Sequence, residues 1–338
     1  MGHLRYIVRR VGFLLITLVL STVVTFALTK LTPGDPVLVH LGQTAMSDPE
    51  IVAAAREKYG LDKPVLQQYW VYLTHLLKGD LGTSIRTRTP VAAELMRFFP
   101  ASVELATGAV AVAVLLGLLL GVTSAYWRRG WVDDAARVVA VLGVSVPNYW
   151  LALLALYVFY FQLGWTAGPG RLGFGVAAPD GTGLLLLDAV LHRDWELLRS
   201  AASHLVLPVS VLSLYALGVI TRTMRSSLVE VLQQQYVRTA RAKGLSERRV
   251  VLKHGVRNAI LPVLTVVGLT YGDLLGGTVL VETIFSWPGI GRYAYLSVTN
   301  LDFPAIMGTT LLITATYAVI NFAVDLIYMF VDPRIRYG

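Results

Sequence analysis

This sequence predicts an all-α, polytopic membrane protein of six transmembrane helices with an extracytoplasmic insertion after the first, and three observations carry that prediction. The 338 residues are 55% hydrophobic and only 15% charged, with a mean hydropathy of +0.62, where a soluble chain carries about 25% charged residues. The apolar residues gather into runs long enough to cross about 30 Å of hydrocarbon. The cations behind the net charge of +8 cluster at the ends of those runs rather than on one groove-like face. That placement suits anchoring at a lipid bilayer and assigns no role to nucleic acid. With no cysteine, a disulfide framework, thiolate catalysis and a Cys-ligated metal are excluded.

The elements follow in order. Residues 1–30 hold an N-terminal end with Arg5, Arg9 and Arg10 and a first span at 11–29. The run is longer than the apolar core of a signal peptide and no small-x-small cleavage site follows, so it reads as a retained anchor. Residues 31–101 form an extracytoplasmic segment with its own helix signals. Asp48-Pro49-Glu50 supplies a cap, a first-turn proline and an acid suited to the helix dipole, and Gly60 a stop. Pro64 opens a second helix, on which Leu66, Trp70, Leu73 and Leu77 make one apolar face. Tyr69, Trp70 and Tyr72 suit a membrane interface, so this helix is expected along the outer leaflet. It reads as a structural lid or, alternatively, as a contact for an external substrate-carrying protein.

Residues 102–338 form a core of five further spans at 102–126, 135–161, 205–224, 259–281 and 306–330. The outer loop 164–200 opens on GPGRLGFGVAAPDGTG and reads as irregular. Arg128, Arg129, the basic cluster from Arg222 to Arg257, Arg334 and Arg336 all fall on the side of Arg5, Arg9 and Arg10. The positive-inside bias makes that side, and both termini, cytoplasmic.

Between the fourth and fifth spans the loop 225–257 looks built to hold a shape. Nine cations lie between Arg222 and Arg257 against two acids, Glu230 and Glu247. Helical spacing runs through Val231, Gln235, Arg238 and Ala242, with Arg241 and Lys243 at the negative end of the dipole. Gly244 stands where a helix terminus needs positive φ. Ser246 can cap a second short helix, with Glu247 at its positive end. Two short helices joined by a tight turn point to a docking surface for another protein.

That loop resembles the EAA loop of ABC-transporter permeases, in the dipeptide/oligopeptide/nickel branch, where TARAKG (239–244) is followed by RNA-x-LP (257–262). The general motif has Glu-Ala-Ala six residues before its glycine; here Arg238, Thr239 and Ala240 stand there. The resemblance continues through LTPGDP (31–36), GLDKP (60–64) with QYW (68–70), GDLGTS (79–84), VETIFSWPGIGR (281–292) and DPRIRYG (332–338). It implies the type I importer permease fold, in the cell (inner) membrane of a bacterium or archaeon. It also implies a second homologous permease subunit, two ABC ATPase subunits and an extracytoplasmic solute-binding protein. On that resemblance the chain is non-catalytic and binds no cofactor, and ATP and Mg are expected on the partner ATPases. The ATPase-coupling residues it implies are Arg238, Thr239, Ala240, Arg241, Ala242, Lys243, Gly244, Leu245, Ser246, Glu247 and Arg248. Peptides, nickel chelates, glutathione and some sugars are all substrates within the branch.

The residues agree with a non-enzymatic reading. No lysine follows a glycine, so no Walker A loop can form, and HExxH and GxSxG are absent. No histidine has a second one at metal-binding helical spacing. Pro288-Gly289-Ile290-Gly291 reads as a turn. Polar residues within spans mark three candidates for a translocation path, because burial in lipid is costly for them. Asp273 shares a helix face with Gly276 and Gly277, and is read either as hydrogen-bonded across a helix interface or as a pore-facing carboxylate for a cationic group. Asn148 follows Pro147 and is read as serving a kink or lining a path. Asn321 shares a face with Asp325, for which a juxtamembrane arginine is the expected partner. A stand-alone secondary transporter or channel is the rival; it predicts paired internal repeats, and none is evident here.

Overall fold

The computed structural model describes residues 2–31 and 63–331. The expected cap at Asp48-Pro49-Glu50, the stop at Gly60 and the terminal Arg334 and Arg336 lie outside the described residues. Among the described residues, five helices are long and apolar enough to cross a membrane: Ile7–Leu31, Val91–Tyr126, Trp195–Val231, Glu247–Gly276 and Phe303–Ile327. A sixth candidate is the pair Trp131–Ser145 and Asn148–Gln162, bent by 102°. The break falls at Pro147, where the sequence places a kink in the third span, and it divides the span into two helices. Pro147 cannot donate a backbone hydrogen bond and holds Val146 in extended geometry (ψ 126°). The Asn148 side chain has no hydrogen-bond partner among the described residues, so the bend is made by the backbone without it.

The chain divides into two compact units, 1–99 with 289–318, and 100–288 with 319–338. In the first, helix α1 (Gly2–Leu31) meets α2 (Val65–Leu77) through Thr22 and Tyr69, whose hydroxyls are 2.9 Å apart, and through Phe26, stacked on Tyr72. Leu66, Trp70 and Leu77 on α2 stay exposed, leaving that face open to a bilayer surface. The GDLGTS stretch forms a tight turn with Gly79 and Gly82 at positive φ. Ser84 beyond it is buried and donates to Asp302 at 2.5 Å. Val91 and Leu95 at the start of α3 (Val91–Tyr126) pack with Ile290 and Tyr293 of α12 (Ile290–Thr299). The Tyr293 hydroxyl donates to Glu94; burial first, then that carboxylate, pushes the phenol well above its ordinary value.

In the second unit α4 (Trp131–Ser145) crosses α7 (Trp195–Val231) where a Cβ on Gly143 or Gly218 would meet the opposing backbone at 2.3 or 2.6 Å. Only glycine permits that approach. Next come α5 (Asn148–Ala155), running on through a π-helical Leu156–Gln162, and α6 (Leu185–His192). After α7 follow α8 (Gln235–Ala242) and α9 (Glu247–Arg249). A π-helical Val250–Val256 leads from α9 into α10 (Arg257–Gly277), followed by α11 (Val279–Ile284). The last helix, α13 (Phe303–Val331), packs Val324 against Gly268 of α10.

The outer loop 164–200 is irregular only up to Leu184; α6 and the first turns of α7 make its second half helical, and the irregular part is latched. Arg171 pairs with Glu104, donates to the Gly183 carbonyl and lies over the Trp287 ring. Asp188 accepts from the amides of Thr182 and Gly183 and from the Thr182 hydroxyl. Burial pushes the Asp188 carboxyl up, but those hydrogen bonds outweigh it and hold the group below its ordinary value. The VETIFSWPGIGR stretch supplies two further anchors. Buried Glu282 accepts from Ser102 and Thr278, and buried Trp287 donates to the Ala101 carbonyl at 2.9 Å. Gly289 takes extended backbone and precedes α12, a turn rather than a phosphate loop.

Candidate functional site

The loop after α7 folds on its own small core. Val237 and Ala240 of α8 pack against Val250, with Leu232 and Leu245 at the edge. That spacing leaves Arg238, Thr239, Arg241, Ala242 and Lys243 on the outer surface of α8. The helix stops at Gly244, whose φ is +78°. The Gly244 amide donates to the Arg241 carbonyl at 2.9 Å, and the Leu245 amide to the Ala240 carbonyl at 3.4 Å. These two bonds, with Leu245 folded back toward Ala240, make a Schellman terminus. The expected left-handed glycine is in place.

The expected cap differs. Ser246 has the extended backbone of an N-cap, and its carbonyl accepts from the Val250 amide, but its side chain makes no capping bond. Arg241 instead crosses the turn to Glu247 with two hydrogen bonds, 2.6 and 3.0 Å, and donates a third to the Leu232 carbonyl at 3.2 Å. A bidentate guanidinium–carboxylate pair is stronger than a neutral hydroxyl–amide bond, and Arg241 lies within its reach. The hydrogen bond to Glu247 outweighs partial burial and pushes the Arg241 pKa up. Asn258, in the RNA-x-LP stretch, ties α10 to α8 by donating to the Tyr236 hydroxyl. The loop is thus clasped at both ends, while Arg238, Lys243 and Arg248 stay exposed and without ion pairs among the described residues.

The three intramembrane candidates are placed differently from one another. Asp273 sits one turn before the end of α10 and is exposed. It has no hydrogen bond or ion pair among the described residues, so the expected hydrogen bond across a helix interface is not found among them. Gly272, beside it, is buried, so the carboxylate and that glycine lie on different faces. Asn148 and Asn321 are half-buried on α5 and α13.

Sequence reasoning missed several buried charged residues. Asp133 takes Arg225 bidentately at 2.6 and 2.9 Å and the Ser124 hydroxyl at 2.6 Å. Glu104, Glu282 and Asp302 are buried likewise. Their only advance signal was an acid placed inside or beside an apolar run, as at Glu104 and Glu282.

Comparison with known proteins bears directly on this architecture. A family model described as "Binding-protein-dependent transport system inner membrane component" matches residues 93–337, and a companion model for the N-terminal part of such membrane components matches residues 3–106. The chain is 45% identical to a probable D,D-dipeptide transport system permease protein, DdpB, of Escherichia coli K12, over 94% of this chain and 93% of that one. It is 44% identical to the di/tripeptide transport system permease protein DppB of Pseudomonas aeruginosa, over 99% of both chains. It is 38% identical to the glutathione transport system permease protein GsiC of Salmonella typhi, again over 99% of both. Among solved structures, the methionine ABC transporter MetNI in inward-facing conformations aligns with a TM-score of 0.53. That alignment covers 70% of this chain and 96% of the other at 16% identity, which establishes a shared fold. The rival reading as a self-sufficient secondary transporter falls away. With its helices, its loop and its relatives in agreement, this chain belongs to the inner-membrane components of binding-protein-dependent transport systems, as a multi-pass permease subunit of an ABC importer.

Proposed function

We propose that this chain is one of two permease subunits of an ATP-driven importer of short peptides, and that its 225–257 loop seats an ATPase subunit. The observation that carries the proposal is the self-sufficient clasp of that loop. Arg241, Glu247 and the Gly244 turn hold α8 and α9 in place without help from a partner, and Arg238, Lys243 and Arg248 are left facing outward. A lever that passes motion to membrane helices needs such a preformed element.

The relatives named above carry dipeptides, tripeptides or glutathione by name, and the chemistry common to these is a short peptide. In this assembly a second homologous permease completes the path, two ATPases bind ATP and Mg, and an extracytoplasmic binding protein delivers the solute. Residues 1–30 form the cytoplasmic end and first span, 31–101 the extracytoplasmic segment, and 102–338 the core, with both termini in the cytoplasm. Asn148, Asp273 and Asn321 line the path. Asp273 is the strongest of the three, because an exposed carboxylate in a membrane helix needs water, a partner subunit or a cationic solute.

Charge reversal tests the seat. Arg238→Glu and Arg248→Glu leave the clasp intact, and each is expected to lower recovery of the ATPase with the purified complex. Full recovery and full solute-stimulated ATP turnover in the double variant would remove the loop from the coupling path.

A further inference from the structure

A groove of about 310 Å3 opens between α4 and α7, and none of its lining residues is among the coupling residues 238–248 or the path residues Asn148, Asp273 and Asn321. Its walls are apolar, with Ala140, Val141 and Val144 along α4; its mouth carries Arg137, Arg222 and Arg225. The three cations are unequally committed. Arg225 is held by Asp133 and Arg137 by Asp134 and Asp133, whereas Arg222 is exposed and meets no acid among the described residues. Three cations against two carboxylates leave one uncompensated positive charge.

A second observation is independent of that charge. The Thr221 hydroxyl lines the same groove, is buried, and has no hydrogen-bond partner among the described residues. A threonine in a helix ordinarily bonds to a carbonyl one turn back, as Thr223 does to Val219 at 2.9 Å in the same helix. Leaving a buried hydroxyl unmet costs about 1–3 kcal/mol, so an oxygen acceptor belongs in the groove.

The depth of the site is also defined. Exposed Tyr126, Trp127 and Trp131 form the kind of aromatic belt that sits at headgroup level. Arg137 lies six residues beyond Trp131, about 9 Å of helix rise. The polar mouth is thus at the interface, and the valine wall runs toward the hydrocarbon.

We infer that this groove binds an anionic phospholipid. The phosphodiester meets Arg222, the Thr221 hydroxyl donates to a phosphate or ester oxygen, and an acyl chain lies along Val141 and Val144. Apolar walls would serve neither free phosphate nor a nucleotide. The inference needs only that the chain spans a membrane. It stands whichever way the chain is oriented and whatever it transports.

The test uses the full chain in nanodiscs holding equal phosphatidylglycerol and phosphatidylcholine, with retained lipid counted by native mass spectrometry after extraction into mild detergent. The parent should retain phosphatidylglycerol in preference. Arg222→Gln should lower that retention about fivefold, the worth of one interfacial cation, and Arg222→Lys should keep most of it. Thr221→Val, an isosteric change that removes the unmet hydroxyl, should lower retention without lowering the unfolding temperature. Excess inorganic phosphate should displace nothing. Equal retention by the parent and Arg222→Gln overturns the inference. So does displacement by inorganic phosphate, or retention of phosphatidylcholine equal to that of phosphatidylglycerol. A groove covered by a second permease subunit, with lipid retention indifferent to both substitutions, overturns it as well.

Discussion

Replacing Gly244 in turn by asparagine, alanine and valine grades the strain on the loop's central turn. The residue sits at φ +78°, and a Cβ added there would meet nothing within 4 Å. The whole penalty is therefore backbone geometry rather than collision. Left-handed backbone costs an ordinary residue about 1–2 kcal/mol, and asparagine is the tolerated exception; a β-branched residue is a greater outlier. The alternative is to straighten the turn and forfeit the two bonds that close it, about 0.5–1.5 kcal/mol each. The chain takes the cheaper route, so the penalty has a ceiling of about 3 kcal/mol. Each 1.4 kcal/mol is tenfold in the opening equilibrium. Hydrogen exchange at the amides of residues 244 and 245 reads that equilibrium directly in the full chain. Protection should fall in the order asparagine, alanine, valine, with asparagine close to the parent. Membrane insertion should be unchanged, and in the assembled transporter solute-stimulated ATP turnover should fall in the same order. A valine variant with parental protection and turnover would refute the argument. So would an asparagine variant as damaged as valine, because then a side-chain contact and not the backbone would be at stake.

Three further outcomes are expected. In this cysteine-free chain, Thr83→Cys should label from outside and Ser246→Cys only after permeabilisation; labelling of Ser246→Cys in intact cells reverses the topology. Asp273→Asn should leave the fold of the chain untouched, since the carboxylate meets no partner among the described residues, and should lower uptake of peptides with a free amino group, measured against the same peptides N-acetylated. Equal uptake of both by parent and variant would return Asp273 to a merely structural role. The Asp188 carboxyl has a lower pKa folded than unfolded, so its contribution is fully present above the unfolded value and is lost as pH falls through the folded one. Exchange at the Thr182 and Gly183 amides should therefore stay slow at neutral pH and accelerate only below the ordinary carboxylate range, whereas Asp188→Asn should remove that pH dependence.

Features set by neighbours in the chain were legible. Gly244 follows a helix whose last turn is cationic, and a terminus of that kind requires left-handed backbone; Pro64 pre-sets the first turn of α2. The family motifs were read for their resemblance, and the structure shows what two of them do. GDLGTS places Ser84 on Asp302, and VETIFSWPGIGR buries Glu282 and Trp287. Features set by distant partners were not legible. Nothing near Glu104 announces Arg171, 67 residues away, and Asp133 finds Arg225 across 92 residues. Ser246 does occupy the N-cap position, but its side chain makes no capping bond, and the Arg241–Glu247 pair closes the turn. The kink at Pro147 was legible in the third span but its size was not, because hydropathy has no term for direction and the turn there is 102°.

The stretch Glu247–Gly276 is one continuous helix of 30 residues, about 45 Å from end to end. It starts at the Arg241–Glu247 clasp and carries Asp273 near its far end. A torque applied at the clasp would therefore reach the level of Asp273 through a single helix. Two irregularities interrupt its winding: Pro262, which removes one backbone hydrogen bond, and the π-helical Val250–Val256, which accommodates an extra residue. Rewinding it as ordinary α-helix would advance the phase of everything beyond it by one residue, about 100° of rotation. The winding of that segment thus sets which side of α10 looks outward.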